Sequence, residues 1–378
     1  MDLKYSDEQC ALRDAVDRVL TEHRREGMQR GADADEANSL WRRFGELGWV
    51  AITVPEQYGG LGGDDVDQSI ISEALGRHRV ASPFLATVVL ASTLIERVAY
   101  ESQKTQLLAE VANGRLTLCL AYLDQVDTSP TMAEPVSGDE HGRVCIRGVK
   151  TIVLSAPHAD RIIVSAKSPE VADSLEFFLV DRKSPQLKYR EYTTLADEKA
   201  WDICFDGVIV SRDSRLGGTV PAGALVPVLD RGAVAVAFDA LGAADALLSA
   251  TVAHTHGRQQ FGQTLFSFQA VRHRLADMSV ACQEARSICL LAAMSAKSDR
   301  ARSVTASAAK YKALNCARFV AEQAIQIHGG MGMSEDLAIG SYFRRILANE
   351  ILFDLPEVHL MRYAALSGGV GTVRAGES

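Results

Sequence analysis

The sequence lacks the cysteine pairs that would indicate a disulfide framework or a zinc site. Its 378 residues include seven cysteines, which are scattered along the chain with no Cys-x-x-Cys pair. Disulfide-rich folds and structural zinc sites place their cysteines at short, repeated spacings. We therefore expect reduced thiols, no bound metal and a cytoplasmic location.

Long apolar runs and an excess of basic residues are absent as well. The chain has 40 Lys and Arg residues against 48 Asp and Glu residues, so its formal net charge is −8. That balance argues against nucleic acid as the main partner. No window reaches the roughly 18 apolar residues that span a bilayer, and the charged, amphipathic start of the chain differs from a signal peptide. We therefore expect neither a nucleic acid nor a membrane as a partner.

The periodicity of apolar residues divides the chain into three parts. Helical spacing dominates up to about residue 115 and returns after Gly217-Gly218. Between these limits lie seven short β-rich runs, separated by turn signals such as Phe205-Asp-Gly207. The predicted N-terminal helices begin after an N-cap at Ser6 and lie further on at 37–47, 66–75 and 83–98. We predict helices over 1–115, a small antiparallel sheet or barrel over 116–217, and a helical bundle over 218–378.

Two glycine-punctuated segments about seventy residues apart have the composition of ligand-contacting loops. Each of them, Arg258-Gln-Gln-Phe-Gly262 and Gln326-Ile-His-Gly-Gly-Met-Gly332, closes a long helical stretch. Glycine lets a bulky, phosphate-bearing ligand approach the backbone, while a guanidinium suits a pyrophosphate and a Phe ring suits an adenine. The structural alternative is a pair of helix ends, with Gly262 as a left-handed stop and a flexible glycine turn in the second segment.

Together with Val54-Pro-Glu-Gln-Tyr-Gly-Gly-Leu-Gly62, these segments resemble the acyl-CoA dehydrogenase family of flavoproteins, in the same order and over nearly the whole chain. The resemblance implies an α+β fold with an N-terminal helical domain, a middle β-domain and a C-terminal four-helix bundle. It also implies FAD as the cofactor and an acyl-CoA thioester that is oxidised to its 2,3-enoyl form. By the same resemblance, one set of residues contacts the FAD of a neighbouring subunit: Arg258, Phe261, Gln269, Gln326, Gly329 and Gly330.

The sequence departs from the family's pattern in two stretches where relatives contact the flavin. Relatives carry a Thr-Glu-Pro-Gly-Ala-Gly-Ser-Asp-like run, whereas Cys119-Leu-Ala-Tyr-Leu-Asp-Gln-Val-Asp-Thr-Ser-Pro130 contains no glycine. The family's Trp-Ile-Thr contact is replaced by Ile152-Val-Leu154, which removes the indole and hydroxyl groups. We therefore expect a weakened flavin site in the β-domain of this chain.

The family's usual catalytic base, a glutamate before Gly-Thr, has no counterpart over 342–359. Counting from the arginines that follow the second glycine segment places Phe353 or Asp354 at its position. A minority of relatives carry the base on the preceding helix, where this chain has Gly232, with Asp239 seven residues further on. Because a carboxylate must reach the α-carbon proton, Asp354 and Asp239 are the candidate bases. The structural alternative for Asp239 is a capped or salt-bridged carboxylate in an apolar run.

Two functional hypotheses follow from this combination. One is a self-sufficient, homo-oligomeric dehydrogenase that acts on acyl-CoA, or on an acyl-carrier protein, with Asp354 or Asp239 as the base. The other, which the missing glutamate favours, is a degenerate partner in a heterotetramer with a related subunit that carries the glutamate. An electron-transfer flavoprotein is the expected further partner, and a flavin oxidase of the same fold would match the same motifs. An apolar seam over Phe268–Ala292, with Ser267 as its N-cap, predicts a subunit interface or an intrachain core.

Overall fold

The computed structural model describes residues 3–30, 35–136, 139, 142–169, 171–294, 298–333 and 337–368. The chain divides into two compact units. The first comprises Met1–Glu22, Ser69–Val80 and Leu229–Ser378, and the second comprises His23–Gln68 and Ala81–Val228. Helices, then strands, then helices follow one another in the predicted order. The domain boundaries at 115 and 217 stay a prediction, because the first unit takes residues from both ends of the chain.

The N-terminal part is helical, as its apolar spacing predicts. Its helices are α1 Asp7–Arg30, α2 Asp35–Glu46, α3 Asp65–His78, a π-helix Leu85–Ala91, α4 Ser92–Val98 and α5 Glu101–Ala112. Ser6 caps α1 as predicted: its Oγ accepts from Gln9 N, and Gln9 Oε1 accepts from Ser6 N, both at 3.2 Å. Helix α5 was missed because it begins after Tyr100, which is not a residue that favours an N-cap.

Two four-stranded sheets form the β-rich part of the second unit. The strands are β1 Leu118–Ala121, β2 Met132–Pro135, β3 Val144–Leu154, β4 Arg161–Ala166, β5 Ser174–Asp181, β6 Leu187–Thr193, β7 Lys199–Val210 and β8 Val220–Pro221. The sheet orders are β1-β4-β5-β8 and β2-β3-β7-β6. Only the β1–β4 pair is parallel among the pairings of these described strands. Buried side chains from both sheets, such as Ile146, Phe178 and Ile203, share one core.

The turn predicted at Phe205-Asp-Gly207 is wrong, because these residues lie inside the continuous strand β7. Ile146 pairs with Val208 and Arg147 pairs with Asp206, so Gly207 is left without a partner on β3. Its φ of 75° is the left-handed conformation of a glycine bulge. The bulge bends the strand without ending it.

Strands β2 and β6 were missed because they are short or polar edge strands. In β6, Leu187 is buried, whereas the next four residues are exposed and all four carry a charge or a hydroxyl. Cross-strand ion pairs, Lys188 with Asp206 and Arg190 with Asp202, cover this edge at 2.6 Å each. Charged edges of this kind hide the alternation that identifies a strand and also discourage edge-to-edge association.

The C-terminal part contains five described helices and one small hairpin, where the resemblance implies a four-helix bundle. They are α6 Val226–Gly257, the hairpin β9 Gln259–Gln260 and β10 Gln263–Thr264, α7 Gln269–Met294, α8 Asp299–His328, α9 Ile339–Ile351 and α10 Pro356–Leu366. The seam on α7 is an intrachain core, since Met278, Cys282, Ala285 and Cys289 are at most 1% exposed. Ser267 does not cap α7: it ends a 3-10 turn, and the Phe268 carbonyl accepts from Arg272 N.

Helices α3 and α6 approach each other closely at two glycines. A Cβ added to Gly76 would lie 1.9 Å from the Asp239 carbonyl oxygen, and one added to Gly242 would lie 1.9 Å from that of Glu73.

By length and composition alone, the segment Ala222–Gly257 could cross a membrane, contrary to our prediction from the sequence. However, 72% of its most apolar window is buried inside the protein, which is typical of a core helix.

Candidate functional site

The segment Arg258–Gly262 forms a tight hairpin and does not end a helix. Helix α6 stops at Gly257, and β9 pairs with β10 around a two-residue turn. The turn residues Phe261 and Gly262 have φ values of 54° and 77°, as the favoured two-residue hairpin turn requires. The interpretation of Gly262 as a helix stop is therefore wrong. Because Phe261 is not a residue that prefers positive φ, its conformation is strained.

The hairpin presents two exposed side chains, those of Phe261 and Arg258. Phe261 is 91% exposed and, among the described residues, its ring has one aromatic contact, edge-on with Phe268 at a ring-centroid distance of 6.2 Å. Arg258 is exposed, and none of the described residues pairs with its guanidinium, although its backbone is fixed by bonds to His254 O and Leu265 N. An exposed ring and an exposed guanidinium on a fixed backbone suit a planar, anionic ligand. Gln269, at the start of α7, is exposed as well.

The second glycine segment is equally open. Gly329 has φ 62° and ψ −140°, a conformation that is essentially restricted to glycine. Gly330 has no positive φ, and a Cβ added to either residue would meet no atom within 4 Å. Nothing within the described chain therefore requires glycine at 330. Backbone approach by a ligand or another chain would require it, and exposed Gln326 offers an amide on the preceding turn.

A pair of stacked imidazoles brings the two segments together. The rings of His254, near the end of α6, and His328, the last residue of α8, lie 4.2 Å apart with an interplanar angle of 27°. The end of α6, just before Arg258, and the end of α8, just before Gly329, therefore lie side by side within the first unit. Burial lowers the pKa of His254, and the neighbouring His328 and Arg258 lower it further. Sequence reasoning missed this pair, because a single histidine in each segment carries no distinctive spacing.

The β-domain loop after β1 is closed by its own side chains. Asp124 accepts hydrogen bonds from Thr131 N at 3.1 Å and Thr131 Oγ1 at 2.7 Å, and Lys150 Nζ lies 2.8 Å from the same oxygen. Burial raises the pKa of Asp124, but the hydrogen bond and charge of Lys150 outweigh it and leave the pKa below its usual value. Thr151 N and Gln125 N bind the carbonyls of Leu123 and Val149 in addition. The loop thus lies against β3.

Phe353 and Asp354, the two candidates for the position of the family's base, lie in a two-residue left-handed turn after α9. Phe353 is buried with φ 57°, whereas Asp354 is exposed with φ 71°. The turn is held from two sides: Lys310 Nζ donates to Leu352 O at 2.7 Å, and His359 Nε2 donates to Phe353 O at 2.6 Å. A buried phenylalanine cannot accept a proton. Asp354 is the carboxylate that this turn exposes.

Asp239 is fully engaged in a buried ion pair. Arg345 donates from Nε to its Oδ1 at 2.8 Å and from Nη2 to its Oδ2 at 2.6 Å, and Asn349 Nδ2 donates at 2.7 Å. Asp239 and Arg345 are 8% and 6% exposed. Both oxygens of this carboxylate therefore already accept hydrogen bonds inside the core. The geometry therefore favours the structural alternative for Asp239, while its role as a base stays untested.

Comparisons with known proteins match both helical parts of the chain to one family. Residues 6–115 match the model of the acyl-CoA dehydrogenase N-terminal domain, and residues 224–365 match that of the acyl-CoA dehydrogenase C-terminal domain. The chain is 30% identical to the probable acyl-CoA dehydrogenase YngJ of Bacillus subtilis over 325 residues, which cover 82% of this chain and 84% of YngJ.

Solved structures share the fold over almost the whole chain. The ChsE4–ChsE5 complex of Mycobacterium tuberculosis has a chain that is 23% identical, with a TM-score of 0.87 and coverage of 98% of this chain and 100% of that one. A variant of the Tcur3481–Tcur3483 steroid ACAD is 26% identical, with a TM-score of 0.82 and coverage of 96% and 98%.

Proposed function

Because this chain belongs to the acyl-CoA dehydrogenase family, whose members bind FAD and oxidise CH–CH groups, we propose that it is the partner subunit of a heteromeric acyl-CoA dehydrogenase. In this proposal it contributes half of an FAD site to flavin that is held mainly by a related, glutamate-bearing chain. The assembly oxidises an acyl-CoA thioester to its 2,3-enoyl form and passes electrons to an electron-transfer flavoprotein. We call the contributed residues the dinucleotide half-site: Arg258, Phe261, Gln269, Gln326, Gly329 and Gly330.

The observation that carries this proposal is the exposure of Phe261. A ring that is 91% exposed at the tip of a strained, fixed hairpin has no role in the core of this chain. Beside it, Arg258 offers its donors to a pyrophosphate, in the bidentate geometry that guanidinium groups favour. Gly329 and Gly330 leave their backbone accessible, because added side chains would meet nothing. This set fits the adenine and pyrophosphate end of FAD.

The β-domain loop does not fit the flavin end of the cofactor equally well. Asp124, Thr131 and Lys150 satisfy one another, and none of Cys119–Pro130 is a glycine that would admit a ring against the backbone. When bound, FAD accepts the hydride in this family. In our proposal the related chain holds the isoalloxazine. The residues of this chain bind and orient the dinucleotide.

The proton acceptor is also proposed to belong to the related chain. Phe353 is apolar, Gly232 has no side chain, and Asp239 is bound to Arg345. One similar structure is named as a ChsE4–ChsE5 complex, and another as a Tcur3481–Tcur3483 steroid ACAD. Both names are consistent with a heteromeric assembly.

A second candidate, the self-sufficient dehydrogenase, is favoured by one observation. Asp354 is exposed on a turn that two buried donors hold in a strained conformation, and strain of this kind concentrates at functional sites. In that alternative Asp354 accepts the α-proton directly, and the same dinucleotide half-site serves a second copy of the chain.

The experiment that tests the half-site is Arg258→Ala in the assembled protein. Loss of a charge-assisted bond, about 1.5–3 kcal/mol, weakens FAD binding on the order of 10- to 100-fold. The matched control is Arg300→Ala, because Arg300 is exposed at the opposite end of α8 and bonds only to the Leu366 carbonyl among the described residues. FAD affinity should be measured by reconstitution of the apoprotein assembly. Equal affinity for both variants would show that Arg258 does not bind the cofactor.

A further inference from the structure

The two parts of the dinucleotide half-site come from different helices and need a fixed separation. Arg258 follows α6, whereas Gly329 and Gly330 follow α8, and the chain between them is about seventy residues long. A ligand that bridges both parts binds well only if their spacing is set before it arrives, since ordering them on binding reduces affinity. The stacked rings of His254 and His328 lie where this spacing is determined.

Resting on the proposed half-site, we propose that His254 and His328 are positioning residues for the dinucleotide. Their stacked rings hold Arg258 and the Gly329–Gly330 turn at one separation, and His254 takes up a proton when the pyrophosphate binds. Neither histidine need touch the cofactor. His254 acts through Arg258, four residues further along the chain, and His328 acts through Gly329, the next residue.

His328 is fixed by its own helix. The residue is 7% exposed, and Nδ1 lies 2.8 Å from the Ala324 carbonyl oxygen, which can only accept. Nδ1 therefore carries the hydrogen, and in the neutral ring Nε2 is left as an acceptor. The next residue is Gly329, whose φ of 62° begins the open turn. The orientation of the His328 ring and the start of that turn are thus set within two consecutive residues.

His254 is fixed to Arg258 by the last turn of α6. Its carbonyl oxygen accepts from Arg258 N at 2.8 Å, so Arg258 lies one turn beyond His254, directly after the helix end. The last turn of α6 therefore connects the backbone that carries the His254 ring with the start of the hairpin. The stack therefore connects the guanidinium of one segment with the glycine backbone of the other.

The charges around the pair also link dinucleotide binding to the protonation of His254. The His328 ring stacks on His254 from α8, and the charges of His328 and of Arg258 both lower the pKa of His254 further below the value that burial sets. His256, two residues on, stacks on Phe266 instead, at 4.0 Å. A pyrophosphate bound to Arg258 offsets that positive charge and so favours the imidazolium form. Binding and proton uptake are then linked. For one proton, the affinity for the dinucleotide changes by at most tenfold per pH unit.

The test uses the assembled protein, stripped of FAD, and isothermal titration with FAD between pH 6 and pH 8 in buffers of different ionisation enthalpy. His254→Gln and His328→Gln remove the stack, and we expect about tenfold weaker binding, with loss of the proton uptake. His254→Phe keeps an aromatic stack that cannot titrate, so it should retain most of the affinity and lose the uptake. His256→Gln is the matched control and should change neither quantity.

Wild-type affinity and proton uptake in both His254 variants would overturn the proposal, as would equal losses in His256→Gln. Thermal melts of each variant exclude loss of folding as the cause, and the phenylalanine variant separates packing from titration. The outcome is distinguishable from failure of the half-site itself. If Arg258→Ala weakens FAD binding while the histidine variants do not, only the positioning role is refuted; if Arg258→Ala has no effect, the half-site is refuted.

Discussion

Lys310 is fully buried in α8 and donates its ammonium hydrogen to the carbonyl oxygen of Leu352, 2.7 Å away, at the end of α9. It also donates to the Asn349 carbonyl. Burial lowers the pKa of Lys310 to about 7, against which Glu350 and Asp354 raise it slightly. One lysine thus closes the last turn of α9 and anchors the turn that exposes Asp354.

This burial predicts a pH-dependent stability. A lysine titrates at about 10.4 in the unfolded chain, so between about pH 7 and pH 10 the unfolded state binds more protons than the folded one. The unfavourable contribution of Lys310 is therefore complete below pH 7 and is relieved as the pH rises. Relative to Lys310→Met, the wild type should gain up to about 1.4 kcal/mol in the free energy of unfolding per pH unit in this window.

Urea unfolding of both proteins at intervals from pH 6 to pH 9 measures the difference. Lys312→Met is the control, because Lys312 lies two residues on and its ammonium forms a surface ion pair with Glu284 at 2.6 Å. Its difference from the wild type should stay flat over this range. Parallel profiles for wild type and Lys310→Met would show that Lys310 titrates normally in the folded protein.

Asp239→Asn should destabilise the protein and leave the chemistry intact. The substitution keeps the size of the side chain but leaves the Arg345 charge buried without its counterion, which costs about 3–5 kcal/mol. Chemical unfolding checks the stability, and turnover by the folded assembly checks the chemistry. Asp277→Asn, at an exposed position on α7, is the control and should stay within about 0.5 kcal/mol of the wild type. A variant of normal stability and abolished turnover would make Asp239 a base.

Phe261→Ala should separate folding from cofactor binding. Because the ring is 91% exposed, its loss should change the free energy of unfolding of the isolated chain by less than about 0.5 kcal/mol. In the assembly, loss of an aromatic contact worth about 0.5–1.5 kcal/mol should weaken FAD binding by roughly two- to tenfold. Met361→Ala removes another exposed apolar side chain, 74% exposed on α10, and should leave FAD binding unchanged. An unchanged affinity in Phe261→Ala would leave the exposed ring without the role proposed for it.

The sequence predicts most of this fold because its long helices have strong local periodicity. The segments that became α3 and α6–α8 carry apolar residues at helical spacing, and tertiary packing does not override that signal. Gly207 shows where local reasoning fails: Asp-Gly is a strong turn signal, yet pairing with β3 on both sides makes it a bulge. The hairpin at Phe261 is the converse case, since a Phe in the left-handed region is rarely expected and the local sequence favours a helix end there.

The candidate site could be predicted only in part, because its decisive contacts join residues far apart in sequence. The resemblance identified Arg258, Phe261 and the glycines. It could not reveal the ion pair of Asp239 with Arg345, 106 residues away, which favours a structural role for that carboxylate. Nor could it reveal the stack of His254 on His328, because neither residue has a local pattern that indicates its partner.

We propose that this chain completes an FAD site but does not carry the whole dehydrogenase. The most direct test is to purify the chain alone and together with a related, glutamate-bearing chain, and to measure bound flavin by its absorption and the oxidation of acyl-CoA by a dye-linked assay. We predict that the chain alone is colourless and inactive. The pair should be yellow and active, and Asp354→Asn in this chain should leave that activity unchanged. A yellow, active chain on its own, with a loss of about 10²–10⁴ in rate for Asp354→Asn, would contradict the account and make Asp354 the base.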